Sequence, residues 1–412
     1  QTMLVGKPVA TMRTGSRALL PEAMLVEMVA RLPLRSIARF KSVCKTWKSL
    51  IESPYFRRLF VSLHRNSSSS WSLMFRIHPI TEAIGFHGCE TWGLPKSLSS
   101  YIFDFQRYLN LPPCHFCYVA SSNGLVLIDI FFTRTDNMPY IHKSFVGNPV
   151  LQEWVEIPPP PEPCEATGLV THVEDDGVVS SFKVVRTCQS KYRQVNVWRV
   201  CVYSSDTGKW TFKRLVPSHH VSLKLAISPP SMNLNGMIYV WVRDLDPTEP
   251  GVLVSHDFYG PEADDHCRVI PLSVPVLNNK LVRRCLTTSG GHVFLVRVQV
   301  LYHTLNVWKL NHNSGSSEWW QLSGEEINLE SGDCYPMAMN PFDSDIVYLW
   351  SPLHGCLVSV NLRTKESEIC GSNEGCCVVN TLTSKEYMEG GHDITSLIML
   401  SQFVLPQWMD QL

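Results

Sequence analysis

A chain of 412 residues is longer than one ordinary hydrophobic core, so a small unit beside a large one is expected. Only 18% of the residues are charged and the formal charge is −1, which excludes the global basic excess of a nucleic-acid-binding protein. No run approaches the roughly 18–20 apolar residues of a membrane-spanning helix, and the apolar stretch 124–132 is of strand length and is broken by Asp129.

The first 17 residues, with Lys7, Arg13 and Arg17, read as a flexible tail. A helical unit follows over residues 18–64. Leu20-Pro21 opens its first helix, where the missing proline N–H has no intrahelical partner to lose. Glu22 then sits at the positive end of the helix dipole. Leu25, Met28, Val29 and Leu32 recur at i, i+3, i+4 and i+7, an apolar stripe that Pro33 ends. A second helix is predicted over 35–40, with Ile37 and Phe40 inward. A third is predicted over 42–51, where Val43, Trp47, Leu50 and Ile51 share a face and Ser53-Pro54 ends it. Three helices in about 40 residues cannot enclose so many large apolar side chains, and each one left wet forgoes roughly 1.5–3 kcal/mol. Either the rest of the chain or a second protein covers the surplus; the reading adopted is a second protein. Between Ala18 and His64, Lys and Arg outnumber Asp and Glu eight to three, so an acidic complement is expected.

The segment LPEAMLVEMVARLP, followed by SIARF, SVCKTWKSLI and SPYF, resembles an F-box across the whole unit. The resemblance implies docking onto a Skp-family adaptor and, through it, onto a cullin–RING ubiquitin ligase. Carried over position by position, it places Leu20, Pro21, Leu25, Leu32, Pro33, Leu34, Ile37, Val43, Cys44 and Trp47 against the adaptor. Met24 and Met28 stand where branched aliphatic residues are commoner in that family.

Serine-rich residues 65–70 form a polar hinge, whose sequon at Asn66 has no consequence inside the cell. Residues 71–412 then repeat a loose unit of about 45–60 residues. A strand leads through Asn-Gly or a similar turn into a very apolar strand, then a charged loop, then a tryptophan-containing strand. The apolar strands, taken as inner ones, start at Gly124, Gly236, His292 and Asp345. The outer ones start at Gln152, Gly208, Cys267, Glu318 and Glu366. Buried inner strands and amphipathic outer strands suit four-stranded propeller blades. Six units give a six-bladed β-propeller, with seven or eight blades as alternatives; a pair of β-sandwiches explains the tryptophan spacing less well. Residues 396–400 are expected to complete the first blade and remove an open edge.

The phrases SSNGLVLIDI, GNPVLQEWVEIPPP, VYSSDTGKW, LNGMIYVW, CRVIPLS and LNVWKLNHNSGSSEWWQL resemble the plant F-box-associated, kelch-like propeller domain. The paired glycines of kelch blades occur once in a comparable place, at Gly290-Gly291. The fold class expected is therefore a small all-α F-box of three short helices, followed by a large all-β domain, a six-bladed β-propeller.

The remaining constellations read as structural. Fourteen cysteines are scattered along a sequence without a signal peptide, and are taken as reduced thiols serving as small core hydrophobes. Cys114-His115-Phe116-Cys117 has the spacing of half a zinc site but no second half, and leads into a strand. Cys376-Cys377 point to opposite faces if extended. His219-His220 and His392-Asp393 read as loop pairs, and residues 158–161, four prolines, as a stiff connector between blades. Glu174-Asp175-Asp176 and the acids of 262–265 read as solvated turns.

Together the two resemblances imply a plant substrate receptor of an SCF-type ubiquitin ligase, in nucleus or cytoplasm. No catalytic residue, metal or cofactor is expected, and no direct nucleic-acid or membrane partner. Substrate contacts are expected on interblade loops, of which 133–142 and 243–251 are the longest. The alternatives are an adaptor-bound scaffold or sensor that does not promote degradation, and a propeller enzyme. The enzyme finds no Gly-x-Ser-x-Gly elbow, P-loop, Gly-x-Gly-x-x-Gly or His-Glu-x-x-His in the sequence.

Overall fold

Four short helices precede the strands in the computed structural model. It describes residues 21–32, 34–64, 71–77, 80–87, 102, 115–132, 141–149, 152–175, 178–188, 197–218, 231–242, 251–272, 282–311, 319–330, 333–370, 376–377, 397–398 and 401–404. The helices are α1 (Glu22–Ala30), α2 (Leu34–Lys41), α3 (Lys45–Ile51) and α4 (Pro54–His64). The sequence reading expected three; α4 is the addition. Ser53-Pro54, taken as a stop, is also a start. Ser53 Oγ accepts the Phe56 N–H at 3.2 Å, and Pro54 occupies the first turn, where its fixed φ suits a helix. Val43 lies in the turn before α3 rather than within it. Among the described residues no helix is long and apolar enough to cross a membrane.

The strands form six four-stranded antiparallel groups. Blade 1 contains β1 (Trp71–Ile77) and β2 (Ile80–His87). Blade 2 is β3 (His115–Ser122), β4 (Leu125–Phe132), β5 (Ile141–Asn148) and β6 (Glu153–Ile157). Blade 3 is β7 (Cys164–Val173), β8 (Val179–Cys188), β9 (Trp198–Ser204) and β10 (Lys209–Pro217). Blade 4 is β11 (Ser231–Leu234), β12 (Met237–Val242), β13 (Val252–Asp257) and β14 (His266–Pro271). Blade 5 is β15 (Val282–Ser289), β16 (His292–Gln299), β17 (Thr304–Leu310) and β18 (Trp320–Leu322), with β19 (Ile327–Asn328) also on β17. Blade 6 is β20 (Tyr335–Met339), β21 (Ile346–Ser351), β22 (Cys356–Asn361) and β23 (Ser367–Ile369). The end of the chain supplies β24 (Cys376–Cys377), β25 (Leu397–Ile398) and β26 (Ser401–Val404).

The ring closes through that end. β26 pairs antiparallel with β1 (Trp71↔Val404) and becomes the leading strand of blade 1, while β24 joins the far edge of β2. The expected closing segment is thus displaced: Leu397 and Ile398 pair with β15 instead, in parallel. The outer strands β10 and β14 also touch in parallel, at Val216↔His266, joining blades 3 and 4 into one eight-stranded sheet.

Leading strands converge: β26 meets β3, β3 meets β7, β7 meets β11 and β15 meets β20. The very apolar strands β4, β12, β16 and β21, read from the sequence as inner strands that follow a strand and a turn, are consequently second in their blades. Their all-apolar character reflects burial on both faces. Leu125 and Leu127 face the cluster shared with blade 3, while Val126, Ile128 and Ile130 face the other side. Each of six apolar clusters joins neighbouring blades around the ring, down to Leu73 of blade 1 against Tyr335 and Trp350 of blade 6. The turns into three of these second strands hold two consecutive residues at positive φ: Asn123-Gly124, Asn235-Gly236 and Gly290-Gly291. Such two-residue turns match the strand twist and favour Asn and Gly, which is why the turns were legible.

Candidate partner-binding surfaces

The helical head divides its apolar residues between an interior and a surface. Val26, Val29, Ala30, Ile37, Ile51, Phe56 and Phe60 are buried in one cluster that continues into Tyr118, Ile128 and Phe145 of blade 2, with Trp154 at its edge. The β body therefore covers part of the surplus. Lys41 of α2 fastens the two: its Nζ lies 2.7 Å from Glu153 at the start of β6 and 3.0 Å from Glu52. Phe40 and Trp47 stack with ring centroids 5.0 Å apart.

A second set of apolar residues in the head is left uncovered by the chain. Met24 and Met28, one turn apart on α1, are 53% and 57% exposed; Val43 in the turn between α2 and α3 is 65% exposed, and Tyr55 is 58% exposed. Exposed Arg39, Lys45, Lys48 and Arg58 surround them in the sequence, and Arg31 is tied to Glu27 at 2.5 Å. The head thus offers apolar side chains among cations, chemistry suited to a partner with apolar pockets and an acidic rim.

At the axis of the body, polar side chains bridge the blades. Gln402 Nε2 donates to Thr287 Oγ1 at 3.0 Å and to the Met339 carbonyl at 2.6 Å, and Gln402 Oε1 accepts from Thr288 at 3.0 Å. The Ser121 hydroxyl donates to the Gln402 carbonyl at 3.2 Å, and Asn233 Nδ2 to the Ser121 carbonyl at 2.5 Å. One strand, β26, so ties blade 1 to blades 2, 5 and 6.

Comparison with known proteins matches both parts. Residues 18–59 match the F-box domain family, and residues 69–412 match the family described as F-box protein At3g26010-like, beta-propeller. F-box protein At1g49990 of Arabidopsis thaliana is 53% identical, over 97% of this chain and 98% of its own. F-box protein At3g26010 of the same plant is 44% identical, over 97% and 92% of the two chains. The chain belongs to the F-box β-propeller family. A further Arabidopsis relative, the putative F-box/kelch-repeat protein At4g22430, is 41% identical over 94% of this chain and 91% of its own. Of solved structures, the beta-propeller domain of the Trilobed protease from Pyrococcus furiosus superposes with a TM-score of 0.34 at 9% identity, over 63% of this chain and 71% of that one.

In this F-box β-propeller protein the positions assigned to the adaptor fall into three groups. Pro21, Val43 and Cys44 are exposed; Leu25, Leu32 and Trp47 are half-buried, Leu32 and Trp47 against the head's core. Ile37 is fully enclosed, so as the chain stands it supports the surface rather than forming it. Leu34 begins α2, while Leu20 and Pro33 lie outside the described residues.

The other constellations sort similarly. Cys117 is buried on β3, and Cys114 lies outside the described residues, as do His219-His220 and His392-Asp393. Residues 158–161 link β6 to β7, hence blade 2 to blade 3, and the Pro158 carbonyl accepts the Trp210 indole N–H at 2.8 Å. Glu174 and Asp175 sit exposed in the turn after β7, and the acids of 262–265 in the turn before β14. Residues 133–140 and 243–250 of the two long loops lie outside the described residues.

One arrangement was not anticipated. Cys164, Cys188 and Cys201 bring their sulfur atoms within 3.3–3.7 Å of one another. Sequence separations of 24 and 37 match no ligand motif; only the pairing of β7, β8 and β9 assembles them.

Proposed function

We propose that this chain is the substrate-recognition subunit of an SCF-type ubiquitin ligase, its F-box head binding a Skp-family adaptor and its propeller binding the protein to be ubiquitinated. The observation that carries the reading is the set of exposed apolar side chains on an F-box head, Met24, Met28 and Val43, which the propeller leaves uncovered. Burying three such side chains against a partner is worth several kcal/mol at roughly 1.5–3 each. The receptor performs no bond chemistry in this scheme. It holds substrate near the ubiquitin-loaded enzyme, converting a bimolecular encounter into an intramolecular one. The relatives named above bear no enzyme name, in keeping with that role. Nucleus and cytoplasm are the compartments proposed, and substrate contacts are assigned to the loops that join successive strands.

The test compares wild type with Met28→Asp/Val43→Asp in pull-downs from proteasome-inhibited plant cells. Both side chains are exposed, so the double variant should keep the wild-type fold while losing adaptor and cullin. Proteins retained by both forms, and accumulating when the double variant replaces the wild type, are the substrates. Recovery of no adaptor by the wild type would overturn the proposal.

A further inference from the structure

We propose that Cys164, Cys188 and Cys201 form a binding site for a thiophilic d10 metal ion of the zinc class, with Glu162 or water completing the coordination. The three sulfur–sulfur separations are 3.7 Å (Cys164–Cys188), 3.3 Å (Cys164–Cys201) and 3.4 Å (Cys188–Cys201). A zinc ion with Zn–S bonds of about 2.3 Å in a tetrahedron sets its sulfurs about 3.8 Å apart, so small side-chain adjustments seat the ion. The same separations are far above the roughly 2.05 Å of a disulfide, so three free thiols share one spot. Among the described residues this is the set of at least three metal-ligating side chains whose donor atoms converge.

The scaffold is rigid and the chemistry of the surroundings fits. Cys164 begins β7, Cys188 ends β8 and Cys201 lies within β9, all bound in one antiparallel ladder. Cys188 and Cys201 are buried while Cys164 is half-buried, which leaves one side open. Beside Cys201, whose cross-strand neighbour is Phe212, lies an open cleft of about 300 Å³ lined by Glu162, Arg199, Phe212, Lys213 and Arg214. Glu162 carries the carboxylate nearest in kind to a fourth ligand, and is held by Arg199 at 3.3 Å. Three thiolates on a divalent ion leave one net negative charge, and Glu162 as a fourth ligand adds a second; Arg199 and Arg214 at the cleft supply two positive charges against them. Metal binding releases the thiol protons and therefore tightens as pH rises.

The experiment titrates the purified, reduced full-length chain, freed of metal by a chelator, with Co2+ and then Zn2+. One equivalent of Co2+ should give thiolate-to-cobalt charge-transfer and tetrahedral d–d bands, which Zn2+ displaces. Cys164→Ser and Cys188→Ser should each weaken binding by more than the 10–100-fold typical of losing a residue that merely orients a ligand, whereas Cys356→Ser, a half-buried thiol in blade 6, should leave metal binding unchanged. Circular dichroism without metal reports whether each variant is folded. Cys164→Ser, at the half-buried position, keeps the test informative if Cys188→Ser misfolds. A wild-type titration without tetrahedral thiolate bands, bands that persist in Cys164→Ser, or a wild-type Tm that does not rise with Zn2+ would each overturn the site.

Discussion

The indole N–H of Trp320 donates to the carbonyl of Pro271 at 2.8 Å, an outer strand of blade 5 latching onto the last residue of the outer strand of blade 4. Trp210 of blade 3 does the same to Pro158, just past the outer strand of blade 2, also at 2.8 Å. The tryptophans of β10 and β18 are thus interblade fasteners, with a ring that fills the joint and an N–H that satisfies an otherwise idle carbonyl, whereas Trp154 of β6 donates to Gln152 within its own blade. Trp320→Phe, which keeps most of the ring volume and loses the donor, should cost about 1 kcal/mol. Trp320→Ala, which also empties a buried site, should cost about 3–5 kcal/mol. Urea unfolding of the two variants checks both; equal losses would assign the whole effect to the hydrogen bond, and no loss in Trp320→Phe would assign it to packing.

Those tryptophans explain what was legible in the sequence. All five predicted outer segments fall on outermost strands, β6, β10, β14, β18 and β23; a tryptophan marks β6, β10 and β18, while β14 and β23 are marked only by their place in the repeat. The leading strands were less legible for a physical reason. Leading strands carry Ser121, Ser231, Thr287 and Ser289 toward interblade hydrogen bonds, which dilutes their hydrophobicity below that of the second strands. The helix α4 was hidden because Ser-Pro both ends and begins helices. The cysteine trio was invisible because only tertiary pairing brings Cys164 to Cys201.

Asp129, which broke the apolar run in the sequence, is paired in the core. Its carboxylate accepts from Arg186 Nη2 at 2.7 Å and from Ser144 Oγ at 2.8 Å, across the joint of blades 2 and 3. Arg186 is itself only 1% exposed. Asp129→Ala would strand a buried guanidinium and should cost about 3–5 kcal/mol. Arg186→Met in the Asp129→Ala background should restore part of that loss, because the uncompensated charge goes with it. Additive losses in denaturant unfolding would show that the two residues do not act as a pair.

His256 makes stability depend on pH in a definite direction. Lys213 Nζ, which can only donate, lies 3.0 Å from Nε2, and Nδ1 lies 2.8 Å from the His266 carbonyl, so the ring is neutral with its proton on Nδ1. Burial, and secondarily Lys213, hold its pKa below the ordinary 6.5. The unfolded chain therefore binds a proton that the folded chain refuses. The contribution to stability is complete above about pH 6.5, falls as the pH drops below it, and levels off beneath the folded-state pKa. His256→Gln should flatten this component of the stability profile between about pH 7 and 5. Parallel profiles for wild type and variant in calorimetry would rule the residue out as its source.

Gln402 should control closure of the ring. Its amide joins β26 to Thr287 and Thr288 of blade 5 and to the Met339 carbonyl of blade 6, while Met339 N–H also donates to Thr287 Oγ1 at 3.2 Å. Gln402→Ala removes three side-chain bonds at once and leaves a carbonyl and two hydroxyls facing each other without the amide between them. Net losses of about 0.5–1.5 kcal/mol per bond predict a destabilisation of about 2–4 kcal/mol. The effect should concentrate where β26 pairs with β1, since that ladder holds the ends of the chain together. Hydrogen exchange should therefore quicken first at Trp71–Ile77 and Ser401–Val404, with the ladders of blades 3 and 4 unchanged. Uniformly faster exchange through all six blades would mean that the ring opens as one unit and that no single closing strand governs it.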